Sequence, residues 1–220
     1  MIPPNLWLDE EVLMNTDQKT HWNNIYSTKP VDGVSWYQQK PEKSLQIIHQ
    51  FTPAINHPNV IDVGSGTSTL VDYLLADGYD SLVILDIAES ALAQTKQRLG
   101  DVAQKVSWLV ADITNTDLPS NTYDLWHDRA VFHFLITPED QIKYVRLVEK
   151  TLKSGGILVM STFAPDGPEK CSNLNVNRYD CDDLWEILGQ NFKLIHSDTE
   201  LHQTPFHSQQ AFSYCVFQKL

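Results

Sequence analysis

The sequence predicts an α/β fold in which a doubly wound, mostly parallel sheet carries helices on both faces. Apolar runs alternate with segments of helical periodicity between Asn59 and Phe163, a pattern typical of parallel strands joined by crossover helices. Three of these runs end in an aspartate, and a Gly-x-Gly turn follows the first. The final segment, Ala211–Lys219, alternates in a way that predicts an antiparallel strand.

The size and charge of the chain exclude several classes of protein. It has 220 residues, of which 42% are hydrophobic, so we expect one domain with a substantial core. The formal net charge of −12 argues against a nucleic-acid partner, because such proteins need a basic face. No apolar run approaches the roughly 18 residues of a membrane span. The first residues lack the features of a secretory signal, so we expect none. We also expect no membrane partner.

The cysteines and histidines indicate neither a cross-link nor a metal site. Cys171, Cys181 and Cys215 are odd in number and lack Cys-x-x-Cys spacing. The eight histidines show no ligand spacing. We therefore expect no disulfide framework and no bound metal, and a cytoplasmic location.

Local signals place the elements of the first half of the sheet. Gly78 and Gly100 mark helix ends, since glycine readily adopts the left-handed conformation that terminates a helix. In chain order the predictions are a strand at Val60–Val63, a helix at Thr67–Ala76, a strand at Leu82–Leu85, a helix at Ala88–Leu99 and a strand at Val106–Val110.

The second half continues the same alternation. Thr137 is the predicted N-cap of a helix whose first residue is Pro138. The predicted elements are a strand at Tyr123–Trp126, a helix at Pro138–Leu152, a strand at Ile157–Ser161 after the Gly155-Gly156 turn, a helix at Asp180–Leu188, and strands at Phe192–Ser197 and Ala211–Lys219.

We divide the single domain into three segments. Residues 1–43 form an aromatic and polar N-terminal arm with a short helix near Asp17–Tyr26. Residues 44–163 form the ligand-binding core, which begins with a helix at Ser44–Gln50. Residues 164–220 supply a substrate-side loop rich in Pro, Gly and charge, followed by the C-terminal helix and strands.

The three strand-end acids are the strongest functional signal. Asp62 begins the sequence Asp62-Val63-Gly64-Ser65-Gly66, and Asp86 and Asp112 end the next two apolar runs. Asp86 lies about 20 residues beyond the glycines, the spacing expected for a carboxylate that accepts ribose hydroxyls. Because the carboxyl ends of parallel strands share one edge of a sheet, these acids predict a nucleotide-like ligand there.

Over residues 59–163 the motifs resemble the class I S-adenosylmethionine-dependent methyltransferase family. Tyr123-Asp124-Leu125-Trp126 is similar to the family's fourth strand. Lys153-Ser154-Gly155-Gly156 is similar to its Pro-Gly-Gly sequence, with Ser154 where proline is common. The resemblance implies a Rossmann-like sheet of seven strands and S-adenosylmethionine as the cofactor.

The resemblance also implies cofactor-binding roles. Asp86 would accept the ribose hydroxyls, and Asp112 would accept from the adenine amino group. The glycine loop would border the amino-acid end. The full implied set is Asp62, Gly64, Ser65, Gly66, Asp86, Ile87, Asp112, Ile113 and His127. An acid-rich rim also suits a cationic sulfonium better than it suits a pyrophosphate.

A polar cluster directly after the fourth predicted strand supplies candidate catalytic residues. Asp128 and His133 are placed to orient or deprotonate a nucleophile, and Arg129 lies on the substrate side. Each has a structural alternative. Arg129 would simply pair with an acid, and His133, between Phe132 and Phe134, would be a buried core histidine.

The aromatic pair Trp36 and Tyr37 is a candidate lid over the cofactor. Aromatic rings would exclude water and contact the sulfonium by cation–π attraction. The alternative is that both rings only pack the arm against the core.

The combined hypothesis is S-adenosylmethionine-dependent methyl transfer to a small molecule by in-line displacement. A protein-lysine methyltransferase is the alternative. An NAD-dependent oxidoreductase is disfavoured, because Thr69 occupies the last glycine position of the dinucleotide fingerprint. A non-catalytic cofactor-binding module remains open, and the sequence makes no prediction of oligomeric state.

Overall fold

The computed structural model describes residues 18–220. Asp17 and the first part of the predicted 1–43 arm lie outside the described residues. The described chain contains six α-helices, of which the first covers residues 18–28. The others are α2 (Glu42–Phe51), α3 (Leu70–Ala76), α4 (Glu89–Leu99), α5 (Pro138–Thr151) and α6 (Cys181–Leu188).

Seven strands form one sheet, as the sequence predicts. They are β1 (Asn59–Val63), β2 (Ser81–Asp86), β3 (Val106–Val110), β4 (Tyr123–Arg129), β5 (Leu152–Phe163), β8 (Phe192–Gln203) and β9 (Gln209–Lys219). Their order is β3-β2-β1-β4-β5-β9-β8. β1 to β5 are parallel, and β9 pairs antiparallel with β5 and with β8. The mostly parallel sheet with an antiparallel C-terminal strand is therefore confirmed.

The strand order creates the crevice in which a ligand can bind. The chain runs outward from β1 to β2 and β3, then returns to place β4 on the other side of β1. In α/β sheets a ligand binds where the order reverses, at the carboxyl ends of the strands. Asp62 on β1 lies there, opposite Ile84 on β2 and His127 on β4.

Both faces of the sheet are buried under helices. One apolar cluster contains Trp126, Tyr144 and Leu184, and so joins β4 to α5 and α6. The other contains Ile48, Leu70 and further apolar residues from α2, α3 and the sheet. The apolar strand runs of the sequence follow from this burial, since a sheet covered on both faces has few polar positions.

Several element boundaries differ from the sequence-based prediction. β4 extends through Arg129, so His127, Asp128 and Arg129 lie within the strand and not after it. β5 begins at Leu152 and includes the two glycines, because a register shift between Tyr123 and Leu125 accommodates them. α3 begins only at Leu70, and β8 continues to Gln203. A short hairpin, β6 (Lys170–Cys171) with β7 (Leu174–Asn175), interrupts the predicted loop.

The helix-end signals proved accurate. The Thr137 hydroxyl accepts a hydrogen bond from the Asp140 amide at 3.2 Å, with Pro138 in the first turn. Gly78 and Gly100 have φ of 92° and 60°, values that a side chain would oppose.

The expectation that the cysteines are unpaired was wrong. Cys181, at the start of α6, forms a disulfide with Cys215 on β9. The two lie 34 residues apart in sequence and meet only because α6 packs against the sheet. Cys171 is free and buried.

Residues 18–220 contain neither a helix suited to span a membrane nor a metal-binding cluster. None of their helices combines the length and apolar character needed to cross a membrane. None of their His, Cys, Asp and Glu side chains form a group of three or more that could hold a metal ion.

Candidate active site

The glycine loop leaves β1 through two left-handed residues. Gly64 has φ of 63° and Gly66 has φ of 55°. A Cβ atom on Gly64 would lie 1.9 Å from Val131 Cγ2, and one on Gly66 would lie 2.3 Å from the Tyr26 hydroxyl. Glycine is therefore required for both conformation and space, and the loop lies directly beneath the arm residue Tyr26.

The Asp86 carboxylate, at the end of β2, fixes this loop. One oxygen accepts from the Gly66 amide at 2.7 Å, and the other accepts from the Ala88 amide at 2.7 Å. Burial raises the pKa of the Asp86 carboxyl to about 6, and the backbone hydrogen bonds only partly offset this rise. Each carboxylate oxygen can accept a second hydrogen bond, so Asp86 retains capacity for a ligand.

Asp112 lies beyond the end of β3 in a tight local turn. One oxygen accepts from the amide and hydroxyl of Thr114, at 2.9 and 2.8 Å, and the other accepts from the Asn115 side chain at 3.0 Å. The carboxylate therefore has a structural role of its own, and it also lines a cavity together with Ile87 and Ile113.

We call the cavity that Ile87, Asp112 and Ile113 line the first cavity. It encloses about 810 Å³ of empty space, a volume that includes its open mouth. The polar wall comes from the ends of β2, β3 and β4, and the aromatic wall from the arm and from Phe134. Its lining includes Trp22, Tyr26, Trp36, Gly64, Asp86, Ile87, Asp112, Ile113, Arg129, Val131, Phe134 and Cys171.

A second cavity adjoins the first and lies over the end of β1. The two cavities share Tyr26, Trp36, Gly64 and Arg129. The other residues that line the second cavity include Tyr37, Ser44, Asp62, Ser65, Thr67, Ser68 and His127. The structure thus brings the predicted residues of the glycine loop, of strands β1 to β4 and of the arm to one crevice.

A continuous chain of hydrogen bonds lies beneath the second cavity. Arg129 Nε donates to the Tyr214 hydroxyl at 3.1 Å, and that hydroxyl lies 3.2 Å from Ser44 Oγ. Ser44 Oγ lies 2.9 Å from His127 Nε2, and His127 Nδ1 lies 2.7 Å from Asp62 Oδ1. Each group in this order can donate to the next, so a neutral His127 satisfies the chain. The chain fixes the orientation of the Asp62 carboxylate.

Two oxygen atoms of residues that line the second cavity have no hydrogen-bond partner among the described residues. They are Asp62 Oδ2 and Ser65 Oγ, and both are buried. Buried polar atoms are almost always paired. These two oxygen atoms are therefore expected to meet a ligand.

Arg129 lies where the two cavities meet. Besides Tyr214, its guanidinium contacts the Trp36 carbonyl at 3.4 Å, stacks over the Phe212 ring at 4.4 Å and lies 3.6 Å from Glu200. Nη2 makes no hydrogen bond to any described residue. The predicted pairing with an acid therefore exists, and the same side chain also faces the site.

Asp128 and His133 do not line either cavity. The fully buried Asp128 carboxylate accepts from the Val131 and Phe132 amides and, at 2.6 Å, from the Tyr144 hydroxyl. Burial raises the pKa of the Asp128 carboxyl to about 6. His133 is also fully buried, and burial lowers the pKa of its imidazole to about 3. Its Nδ1 accepts a weak bond from the Phe163 amide at 3.4 Å.

The arm supplies the aromatic wall. The Trp22 ring centroid lies 5.7 Å from that of Trp36 and 5.2 Å from that of Phe134, both nearly perpendicular. Trp36 lines both cavities, whereas Tyr37 lines only the second. Of the residues of this wall, only Trp36 and Tyr37 belong to the lid that the sequence predicts.

Ser44, Glu200 and Tyr214 were not anticipated as site residues. Ser44 and Tyr214 lie 83 and 85 residues from their partners His127 and Arg129. No local motif marks them, since only the packing of α2 and β9 against β4 brings them together.

Known proteins with related sequences are methyltransferases. A family model described as "Methyltransferase domain" matches residues 60–156. A malonyl-[acyl-carrier protein] O-methyltransferase of Anoxybacillus flavithermus is 34% identical over 122 residues, which cover 54% of this chain and 44% of the relative. The eEF1A lysine and N-terminal methyltransferase of Mus musculus is 25% identical over 136 residues, which cover 62% of this chain and 19% of the relative. The chain thus spans less than half the length of either relative.

A solved structure shares the whole architecture. It is the Burkholderia thailandensis 1,6-didemethyltoxoflavin-N1-methyltransferase with bound 1,6-didemethyltoxoflavin and S-adenosylhomocysteine, with a TM-score of 0.67 and 16% identity over 100% of this chain and 91% of that chain. At this identity the likeness shows the fold alone. The match to a methyltransferase domain over residues 60–156 and the seven-stranded topology agree with the resemblance to the class I S-adenosylmethionine-dependent methyltransferase family.

Proposed function

We propose that this chain transfers the methyl group of S-adenosylmethionine to a small-molecule acceptor by in-line displacement. The observation that carries the proposal is the arrangement of Asp62, Asp86 and Asp112 around two joined cavities at the carboxyl ends of β1 to β3. When bound, the cofactor supplies a methyl group activated by a sulfonium.

The residues of the crevice fit this cofactor. The unpartnered Asp62 Oδ2 suits the ammonium of its amino-acid end. Asp86 has lone pairs for the ribose diol, and the apolar Ile87 and Ile113 suit the two faces of an adenine. Gly64 leaves room for a close approach that a side chain would block.

The chain's own contribution to methyl transfer is alignment and exclusion of water. Trp22 and Trp36 form a wall between the cavities and solvent, and methyl transfer depends on holding the two reactants in line. Asp128 supports this geometry indirectly, because it holds the turn that carries Val131 and Phe132. We therefore assign Asp128 a positioning role in place of proton transfer, and we assign no proton transfer to His133, which lines neither cavity.

A protein lysine is the second candidate acceptor. Similarity to the eEF1A lysine and N-terminal methyltransferase of Mus musculus favours a lysine acceptor. Similarity to the O-methyltransferase of Anoxybacillus flavithermus favours an oxygen acceptor. The NAD-dependent alternative is disfavoured by the match of residues 60–156 to a methyltransferase domain.

Calorimetry with S-adenosylmethionine, S-adenosylhomocysteine and NAD tests the proposal. We expect micromolar binding of the first two ligands and none of NAD. The variant Asp86→Ala should weaken the binding of S-adenosylhomocysteine by about tenfold or more, because one charge-assisted hydrogen bond is lost. Asp101→Ala, at an exposed position, is the matched control and should bind normally.

The result that overturns the proposal is equally direct. If neither sulfur compound binds, or if NAD binds as well as they do, the methyl-transfer proposal fails. If they bind but Asp86→Ala has unchanged affinity, only the assignment of Asp86 fails.

A further inference from the structure

We infer that the methyl acceptor is a small carboxylate, bound through Arg129, and that the product is a methyl ester. The inference rests on the proposed function and names its acceptor. It comes from two observations: the position of the guanidinium at both cavities and the chemistry of the groups that line the first cavity.

Arg129 presents a positive charge to the site. It is the one Arg or Lys side chain among the described residues that line either cavity. Its counter-ion Glu200 lines neither of them; it lines a separate surface groove with Gln38, whose side chain donates to Glu200 Oε1 at 2.8 Å. Glu200 Oε2 lies 3.6 Å from Arg129 Nη2. The guanidinium therefore lines both cavities, whereas its counter-ion lines neither.

The guanidinium also retains donors. Nε and one Nη1 hydrogen are used by Tyr214 and the Trp36 carbonyl. The second Nη1 hydrogen is not used in these contacts, and Nη2, although 3.6 Å from Glu200 Oε2, makes no hydrogen bond to a described residue. An arginine held on three sides by Tyr214, Trp36 and the Phe212 ring is rigid. A rigid guanidinium with free N–H groups suits the planar geometry of a carboxylate.

No free general base serves the first cavity. Its titratable lining residues, within residues 18–220, are Tyr26, Asp86, Asp112, Arg129 and Cys171. Burial raises the pKa of the Cys171 thiol to about 12 and that of Tyr26 well above its usual value, so both are protonated. The two aspartates are already held by backbone or local hydrogen bonds at the far strand ends.

A carboxylate acceptor needs no base. One of its oxygens forms the bond to the methyl carbon, the carbon–sulfur bond breaks, and the bonding electron pair stays on sulfur. An anion and a sulfonium cation yield a neutral ester and a neutral thioether, and no proton is released. A lysine ammonium must first lose a proton, since its usual pKa is about 10.4, and Arg129 would repel it.

Matched pairs of acids and amides test the inference without turnover. The probes are phenylacetate, indole-3-acetate and hexanoate, each with its amide, titrated by calorimetry into the protein saturated with S-adenosylhomocysteine. We expect at least one acid to bind about tenfold more tightly than its amide. In Arg129→Gln that preference should disappear, whereas the exposed Arg146→Gln should retain it.

The outcomes separate the competing roles of Arg129. The inference is overturned if acid and amide bind equally, or if neither binds. This comparison needs only the wild-type protein. If Arg129→Gln instead loses S-adenosylhomocysteine but still binds 5′-methylthioadenosine, the guanidinium serves the cofactor carboxylate and the inference is also overturned. Failure of S-adenosylhomocysteine to bind the wild type would be a failure of the proposed function, which is a distinct result.

A chemical signature provides a second readout. With radiolabelled cofactor and whichever acid binds, the product should release volatile methanol in alkali, as methyl esters do. Label that stays in an alkali-stable amine would contradict the carboxylate acceptor.

Discussion

At the residue scale, Asp86 carries a burial cost that a ligand can relieve. Its carboxyl pKa is raised to about 6 chiefly by desolvation. The ionised form accepts from two backbone amides and has lone pairs left for hydroxyl donors. A ligand that donates to this carboxylate therefore favours the ionised state, and ligand affinity becomes linked to pH.

We predict that the affinity for S-adenosylhomocysteine falls as the pH is lowered through about 6. Above that pH the carboxylate is ionised and binding is full; below it, a proton must be released on binding, so affinity falls by up to about tenfold per pH unit. Calorimetry between pH 5 and 8 measures this, and Asp86→Asn is the control that should flatten the profile. A wild-type profile that stays flat below pH 6 contradicts the assignment.

Asp128 leads to a prediction about stability. Its carboxylate is the acceptor for the Val131 amide, the Phe132 amide and the Tyr144 hydroxyl, all in a buried setting. Asp128→Ala leaves these donors unpaired and should lower the free energy of unfolding by about 2–4 kcal/mol. Urea unfolding measures the loss.

The same variant distinguishes a positioning role from a catalytic one. In folded Asp128→Ala, we expect turnover to fall by less than the factor of about 100 that removal of a general base typically costs. Tyr144→Phe is the milder control, because it removes only one of the three donors. A collapse of turnover without loss of stability would restore Asp128 as a proton-transfer group.

Individual site residues differ in how far the sequence could identify them. Asp62, Asp86 and Asp112 could be predicted because each ends an apolar run, and parallel strands bring such ends together. Ser44 and Tyr214 could not, because they reach the site through the packing of α2 and β9. Asp128 was misplaced because β4 continues past Trp126, which turns its carboxylate towards Tyr144.

At the scale of the elements, hydrophobic periodicity and helix-end residues predict that a helix or strand exists better than they predict where it begins and ends. The five parallel strands follow from local apolar runs, and helix ends follow from Thr137, Gly78 and Gly100. β8 is twice as long as the predicted Phe192–Ser197 because its polar second half pairs with β9 as an edge strand. The length of such a strand depends on the strand with which it pairs. A single sequence does not show which strands pair.

The link between α6 and β9 gives a prediction for these elements. The Cys181–Cys215 disulfide closes a loop of 34 residues, and a cross-link of this span restricts the unfolded chain by about 3–4 kcal/mol. A reductant should therefore lower the melting temperature by about 6–15 °C for a chain of this size. Thermal unfolding followed by circular dichroism, with and without reductant, measures the shift.

The double variant Cys181→Ser with Cys215→Ser is the control for this effect. It should melt at the temperature of the reduced wild type and should not respond to reductant. Wild-type melting that is unaffected by reductant, with both thiols then accessible to alkylation, would show that the cross-link contributes nothing to stability.

At the scale of the whole molecule, the arm joins three separate regions around the site. Asn23 contacts α4 through the Ser90 amide at 3.1 Å, and His21 lies 3.1 Å from Ser172 near the β6–β7 hairpin. Gln38 donates to Glu200 on β8 at 2.8 Å. These polar contacts hold Trp22 and Trp36 over the cavities, and they are of the kind that can break and reform without loss of a large core.

The arm should therefore control ligand release. We predict that deletion of residues 1–39 raises the dissociation rate of S-adenosylhomocysteine by about tenfold or more. A tenfold rise requires the activation free energy of dissociation to fall by only about 1.4 kcal/mol. Stopped-flow displacement measures the rate, and a melting curve establishes that the shortened chain is folded. Trp185→Ala, which removes an exposed ring on α6, is the matched control and should release the ligand at the wild-type rate.

If the deletion weakens binding only through a slower association rate, the arm helps to form the site but does not close it. An unchanged dissociation rate would mean that Trp22 and Trp36 pack against the core without acting as a lid.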